Sequence, residues 1–167
     1  METLVKRSRK VAFLGVKDAS TEKYTRMTKF TDFSRSSNPK EYSRQYVDED
    51  AEVTDVTGFA PEIAYAFDYY AGNAVHKDII DITDNEKTGD DAVRNIIIVD
   101  FTSPVDGQSK QYNAKKRPYA IVPDSDGDST DAYTYSGTLK NKGPFEDVVV
   151  TSADDWKTCT IAVVAGK

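Results

Sequence analysis

The sequence predicts a mainly β domain: two packed antiparallel sheets, as a sandwich or partial barrel, with one α-helix on the flank. Three observations favour this fold. The chain has ten Tyr and seven Phe but one Trp, and aromatic side chains pack well on pleated sheets. Turn residues separate alternating or apolar runs roughly every 8 to 12 residues. One amphipathic pattern in mid-chain has the spacing of a helix.

Length and composition favour a single domain over residues 1–167, with an extended inter-strand loop at about 34–59. Hydrophobic residues make up 38% and charged residues 30%, which is typical of neither membrane nor disordered chains. No run approaches the ~18 apolar residues of a membrane helix, so no membrane anchor is expected. No apolar signal region follows the charged N-terminus, which predicts folding in a cytoplasm. The lone Cys159 is expected to be an inert buried thiol.

The first part of the chain alternates between strand and loop patterns. A short apolar run, Lys10–Val16, predicts a strand. Tyr24–Phe33 predicts one strand with two mixed faces, which suits a sheet with a wet face or a subunit interface. Ser34–Lys40 predicts a loop, because Pro39 prevents a continuous strand. Glu41–Val47 alternates again and puts three side chains on one side: Tyr42, Arg44 and Tyr46.

An acidic segment, Asp48–Thr57, follows and contains no basic residue. It has too little apolar surface to order itself. One interpretation is a mobile surface loop, and the other is an arm that orders only against a partner. The candidate contact residues are Tyr46, Asp48, Glu49, Asp50, Glu52 and Asp55.

A strand, a helix and a second strand are predicted next. The first strand starts at Ala60, and the helix starts at Ala74 behind an Asn73 N-cap and ends before Gly89. Arg94–Phe101 is apolar in succession, so both of its faces should be covered. The predicted outer face of the helix has Lys77, Asp78, Asp81 and Asp84. The predicted core residues are Ile63, Tyr65, Phe67, Val75, Ile79, Ile82, Ile96 and Ile98.

The second half predicts short strands between turns. Pro104–Lys110 reads as a turn, and Tyr119–Val122 as a short edge strand bounded by Pro118 and Pro123. Trp156 is expected to anchor the last corner. The closing strands are predicted at Ala132–Leu139, Phe145–Thr151 and Thr158–Val164.

No catalytic or cofactor motif appears. The sequence has no His pair, no Cys–His partnership, no Gly-rich phosphate loop and no cluster with metal-ligand spacing, so an enzyme is disfavoured. The one histidine, His76, is expected to be a packed or surface residue. Asp124–Asp131 begins like a calcium loop, but Ser129 replaces the required Gly and Tyr135 the bidentate Glu. An Asp/Gly/Ser-rich turn is the better interpretation.

Charge is unevenly distributed along the chain. Residues 1–46 carry a net charge of +6 and residues 47–167 a net charge of −12. The basic segment could bind nucleic acid, meet acidic surface on the next copy of the protein, or remain a solvated face. Contact between copies is favoured, because the cations are dispersed along strand-like sequence rather than clustered in a tail.

Four runs stand in a characteristic order. They are YSRQYVDEDAEVTDVTGFAPEIAYAFD and, after a short helix, DAVRNIIIVDF, YAIVPDSDGDSTDAYTYSGTLKNKG and DDWKT. In their order and in their residues they resemble the major tail (tail tube) protein of long-tailed phages and prophages of Gram-positive bacteria, from about Arg35 to Thr160.

The resemblance implies a non-enzymatic virion protein that needs no cofactor. Its subunits would form hexameric rings stacked into a hollow tail tube, through which DNA passes without specific binding. A long loop, here about Ser34–Phe59, would reach a neighbouring ring. The implied partners are the tail tip or initiator, length-setting and terminator proteins. An acidic chain suits a DNA conduit, since Lys and Arg side chains lining the tube would bind the DNA phosphates by releasing counterions.

Other classes of protein remain open at the level of sequence. The inner tube of a contractile tail or a phage-like injection device would share the fold, and a neighbouring sheath gene would separate the two. A glycan-binding β-sandwich would use exposed Tyr side chains and Trp156 as stacking platforms. A glycan array would detect it.

Overall fold

The computed structural model describes residues 2–18, 21–108 and 110–162. This part of the chain forms eleven strands, one α-helix and two short 3-10 helices, Arg7–Arg9 and Gly89–Ala92. The strands are β1 (Lys10–Asp18), β2 (Thr21–Arg26), β3 (Phe30–Ser36), β4 (Pro39–Arg44), β5 (Val53–Phe59), β6 (Glu62–Asp68), β7 (Val93–Pro104), β8 (Gln111–Asp126), β9 (Thr134–Asn141), β10 (Glu146–Thr151) and β11 (Thr158–Ile161), and the helix α1 is Ala74–Asp84. The predicted end of the last strand, at Val164, lies outside the described residues.

Nine strands form one antiparallel sheet in the order β10-β11-β2-β1-β7-β8-β9-β6-β3. Because β10 also pairs with β8, the first six of these strands close into a barrel. The strands β9, β6 and β3 continue from β8 as a second layer, and β4 and β5 form a separate two-stranded sheet. The predicted fold class, packed antiparallel sheets with one flanking helix, is confirmed.

The longest strand, β8, belongs to both layers. Its first part pairs with β10 up to Lys116, and its second part pairs with β9 from Tyr119. The prediction of a short strand bounded by prolines was therefore wrong. Pro118 falls between the two registers, and Pro123 lies beyond Ala120, where pairing with β7 ends. A missing N–H is tolerated at such breaks in a ladder.

The predicted single strand Tyr24–Phe33 was also wrong, because it is split between the two layers. β2, a strand of the barrel wall, ends at Arg26, whereas β3 starts at Phe30 on the far edge of the second layer. Between them Lys29 has a φ of 65°, which turns the chain out of strand geometry. The ring of His76 bonds the Thr28 carbonyl oxygen across 2.9 Å and holds the crossing in place. A pattern of alternating residues contains no signal for that contact.

In the described part of the chain, two apolar clusters fill the nine-stranded sheet and α1, which together are called here the body. The first lies between α1, the β9–β6 layer and the outer face of the barrel, and the second fills the barrel interior. The strand β7 serves both, since Ile96 joins the first cluster while Ile97 and Val99 join the second. The structure buries seven of the eight residues expected in the core and leaves Ile98 half-buried against the first cluster. The seven are Ile63, Tyr65, Phe67, Val75, Ile79, Ile82 and Ile96.

The helix begins at the predicted residue and ends before Gly89, as predicted. The Asn73 side chain accepts hydrogen bonds from the backbone N–H groups of Val75 and His76. The helix ends at Asp84, and the first left-handed residue after it is Glu86, with a φ of 49°. Gly89 also has a positive φ, of 60°, but it begins the second 3-10 helix and does not supply the C-terminal turn of α1, so that part of the prediction was wrong. The side chain of Asn85, the C-cap residue, hydrogen-bonds Asp81 within the same last turn.

The assignment of Asp78 to the outer face of the helix was wrong. Asp78 points to the body, where its carboxylate accepts a bond of 2.8 Å from Nε of Arg94. Only 9% of the Asp78 side chain and 5% of the Arg94 side chain are exposed. The buried guanidinium on β7 needs a carboxylate partner, and this requirement overrides the polar character that places Asp78 on the surface.

Candidate assembly surface

The separate sheet of β4 and β5 is a β-hairpin, called here the hairpin (residues 39–59), whose tip is residues 45–52. Its pairing runs from Pro39 opposite Phe59 to Arg44 opposite Val53. The prediction of an irregular, unordered Asp48–Thr57 was wrong for the residues from Val53 on. Strand pairing orders them.

No residue from 37 to 60 is buried. The hairpin therefore leaves the body without packing its side chains into either apolar cluster. An isolated two-stranded hairpin is marginally stable in water. Large apolar side chains nevertheless lie exposed along it, at Tyr42, Tyr46, Val47, Val53, Val56 and Phe59.

Arg44 organises one face of the hairpin near the tip. Its guanidinium lies 5.1 Å from the ring centre of Tyr42 and 5.4 Å from that of Tyr46. One of its terminal nitrogens pairs with Asp55 at 2.6 Å, and its Nε donates to the Tyr46 hydroxyl, also at 2.6 Å. The alternating pattern placed the three residues of this stack on one side, but it did not identify Arg44 as their connection.

The six predicted contact residues divide into two groups. Tyr46 and Asp55 meet on Arg44. The other four carboxylates lie at the exposed tip, and none forms an ion pair within the described residues. They are Asp48, Glu49, Asp50 and Glu52.

The root of the hairpin opens onto a cleft of about 510 Å³. This cleft is not visible in the sequence, because its lining residues come from six separate parts of the chain. Its charged lining residues are Lys10, Arg35, Asp100, Lys115, Arg117 and Asp147.

The two potentially reactive side chains outside the hairpin and cleft, His76 and Cys159, are buried. His76 is fully buried, with Nδ1 accepting from the Tyr70 N–H and Nε2 bonding the Thr28 carbonyl. Burial lowers the pKa of His76 from its usual value, although the Thr28 bond and Asp68 act in the opposite direction. Burial also raises the pKa of the Cys159 thiol to about 12. The two hydrogen bonds of His76 imply the tautomer protonated at Nε2, and they leave neither ring nitrogen of His76 free.

The acidic turn after β8 is tied by its own side chains. Asp126 accepts from the Tyr133 hydroxyl, and Asp128 accepts from the Thr134 hydroxyl. Within the described ranges, no group of three His, Cys, Asp or Glu side chains is arranged to hold a metal ion. No helix in the described part of the chain is long and apolar enough to cross a membrane.

Two solved structures are similar to this chain in fold. The phage SPP1 tail tube, solved by solid-state NMR and cryo-EM, superposes with a TM-score of 0.66 at 16% identity, covering 90% of this chain and 81% of that chain. The six-fold symmetrised cryo-EM structure of the anti-feeding prophage baseplate superposes with a TM-score of 0.51 at 9% identity, covering 89% and 97%. The sequence matches no protein-family profile and no curated protein.

Proposed function

We propose that this chain is the subunit of the tail tube of a phage or prophage of Gram-positive bacteria. In this proposal the protein forms homo-hexameric rings, which stack into a hollow tube through which DNA leaves the virion. The likeness to the SPP1 tail tube supports it. Its location would be the virion tail. The partners would be further copies of itself and the tail tip or initiator, length-setting and terminator proteins.

The observation that carries the proposal is the unsupported hairpin. An isolated two-stranded hairpin has little stability in water, and this one leaves Tyr42, Val56 and Phe59 exposed to solvent. Docked on another subunit, the same side chains would lose their contact with water. This is the arrangement expected of a subunit that is completed by its neighbours.

Charge agrees with a conduit for DNA. The net charge is −6 and the sequence pI is about 4.8. Phosphate chains gain affinity where Lys and Arg release counterions. A tube of acidic subunits therefore favours passage over binding.

A second candidate is the inner tube of a contractile tail or injection device. The likeness to the anti-feeding prophage baseplate favours it. A sheath gene beside the gene for this chain would support it. The glycan-binding candidate is weakened by Trp156, which is half-buried with its ring 5.1 Å from Phe101 and 5.5 Å from Tyr112. That side chain packs a corner and is not a free stacking platform.

Negative-stain electron microscopy of the concentrated protein tests the proposal. We expect rings or hollow tubes with six-fold end views. A matched variant replaces residues 45–52 with Asn-Gly, which closes the Arg44–Val53 pair with a two-residue turn. We expect this variant to keep the melting temperature of the wild type and to form no stacked tubes. Normal tubes from the variant would contradict the role of the tip, and a wild type that stays monomeric at high concentration would count against the tube.

A further inference from the structure

The cleft at the root of the hairpin has an apolar floor and a charged rim. Ile96 and Ile98 form the floor on the outer face of the barrel, while Phe59 and Pro61 line the side next to the hairpin. Phe145, the residue before β10, also lines the cleft. A cleft of this kind, apolar with a few converging polar groups, is the usual form of a recognition site.

Cations outnumber carboxylates in this cleft. Lys115 pairs with Asp147 at 2.8 Å, and Lys10 lies 4.0 Å from Asp100. The remaining two cations, Arg35 and Arg117, have no ion-pair partner within the described residues. The cleft therefore has two guanidinium groups whose charge is not balanced by an ion pair to any described carboxylate.

Arg117 is the more constrained of the two arginines. Its side chain is half-buried and its guanidinium lies 5.3 Å from the ring centre of Phe145. Among the described residues, its Nε is a buried side-chain nitrogen without a hydrogen-bond partner. Buried donors are normally bonded, and a guanidinium presents a planar fork that matches a carboxylate. The site suits an incoming carboxylate.

The tip of the hairpin has the complementary chemistry. Residues 45–52 carry a net charge of −4. Beside the carboxylates stand the exposed side chains of Tyr46 and Val47, which suit an apolar floor. Opposite charges facing each other across an interface guide the choice of partner and register.

A chain's own tip cannot reach its own cleft. Phe59, the last residue of β5, already lines the cleft. The six residues of β4 then lead away from it, and a strand rises 3.3 Å per residue, which places the tip about 20 Å away. The pairing of β4 with β5 holds this separation, so only the tip of a different molecule fits the cleft.

We propose that the cationic cleft, defined by Lys10, Arg35, Lys115 and Arg117, receives the acidic hairpin tip of a second copy of this chain. The inference rests on the proposed tube function, and it names the surface that the hairpin contacts. The contact is heterologous, since tip and cleft are different surfaces. Such contacts repeat from copy to copy and build rings or open stacks.

A charge exchange tests the proposal. The tip variant carries Asp48→Lys, Glu49→Lys and Asp50→Lys, and the cleft variant carries Arg35→Glu and Arg117→Glu. We expect each variant to lower the yield of sedimented tubes at least tenfold, because like charges then face each other. The chain with all five substitutions is expected to recover to within about twofold of the wild type.

A control separates the cleft from a general charge effect. Lys77→Glu and Lys140→Glu change the net charge by the same amount at exposed positions outside the cleft. Combined with the tip variant, they should not restore tubes. Thermal melts establish that each variant folds, and Arg35→Glu alone, at an exposed position, replaces the double cleft variant if Arg117→Glu unfolds the chain.

Disulfide trapping tests the same contact without tubes. Protein with Asp50→Cys is mixed with protein carrying Arg35→Cys and oxidised, while the buried Cys159 stays silent. We expect the covalent heterodimer to form at least fivefold faster than with Lys77→Cys as partner. Equal rates would overturn the proposal whether or not tubes form.

Two further outcomes decide against the cleft. If the wild type forms tubes and both charge variants form them equally well, the cleft is not the receptor, although the tube function stands. If a fluorescent DNA oligonucleotide binds the wild type but not the cleft variant, and no heterodimer is trapped, the cleft binds a polyanion instead.

Discussion

The strand β6 in the body and the strand β5 in the hairpin are both seven residues long and antiparallel to their neighbours. In β6 every second side chain is buried, whereas in β5 none is. The difference comes from what covers each strand, because α1 and the barrel wall lie over β6 and nothing in the described chain lies over β5. We therefore expect the body to carry folding stability and the hairpin to carry contacts between subunits.

The largest expected effect is at the centre of the body. Phe67 is fully buried, with its ring 4.3 Å from that of His76 and 5.5 Å from that of Tyr135. We expect Phe67→Ala to lower the free energy of unfolding by about 4 kcal/mol, through lost burial and the cavity left behind. Urea unfolding measures it. The matched change Phe59→Ala, on the hairpin, should cost under about 0.5 kcal/mol, and equal costs would remove the contrast.

The buried ion pair sharpens the comparison with surface charge. We expect Asp78→Ala to cost about 3 kcal/mol in the free energy of unfolding, because it leaves the Arg94 guanidinium buried without its partner. Asp81→Ala removes an exposed partner of Lys87 from the same helix, and its midpoint in urea should stay at the wild-type value. If Asp78→Ala unfolds at the same urea midpoint as the wild type, the prediction is wrong, because water or another group then replaces the carboxylate.

Acid should weaken the body through His76. Burial lowers its folded-state pKa below the value of 6.5 for the free side chain, so the unfolded chain takes up a proton first. Stability is then full above pH 6.5 and falls as the pH drops from 6.5 towards the folded-state pKa, by at most about 1.4 kcal/mol per pH unit. Urea midpoints measured from pH 8 to pH 5 test this.

A matched variant isolates that slope. His76→Gln lacks the titrating ring, so its stability should be lower but nearly flat over the same pH range. The strongly bonded Asp154, with its pKa lowered to about 2, loses its contribution only below this window. A wild-type curve as flat as that of His76→Gln would contradict the assignment.

The smallest effect on global stability is expected in the hairpin. Arg44→Ala removes the contacts with Tyr42, Tyr46 and Asp55. The melting temperature should not change, while amide hydrogens of β4 and β5 should exchange faster than in the wild type. Lys40→Ala, on the same strand, is the control and should leave exchange unchanged. A lower melting temperature for Arg44→Ala would mean that hairpin and body unfold together.

The elements that sequence could predict are those set by neighbours along the chain. Asn73 and the spacing of Val75, Ile79 and Ile82 identify the helix and its buried face. The errors lie where distant groups decide. Arg94 draws Asp78 inward, His76 holds the crossing at Thr28, and the break between the two registers of β8 accommodates Pro118.

The candidate site was predictable in part for the same reason. The acidic run and the alternation of Tyr42, Arg44 and Tyr46 are visible in sequence. The cleft is not, because Arg35 and Arg117 are 82 positions apart in the chain and meet only through the sheet order. An unpaired guanidinium is a property of three-dimensional surroundings, and residue type does not reveal it.

The double membership of β8 has a mechanical consequence. One unbroken backbone of 16 residues runs through both the barrel and the second layer. A load applied to either layer therefore passes to the other along covalent bonds rather than across a sliding interface. A subunit built in this way would bend as one body, and any flexibility of a filament made from it would have to come from the joints between subunits.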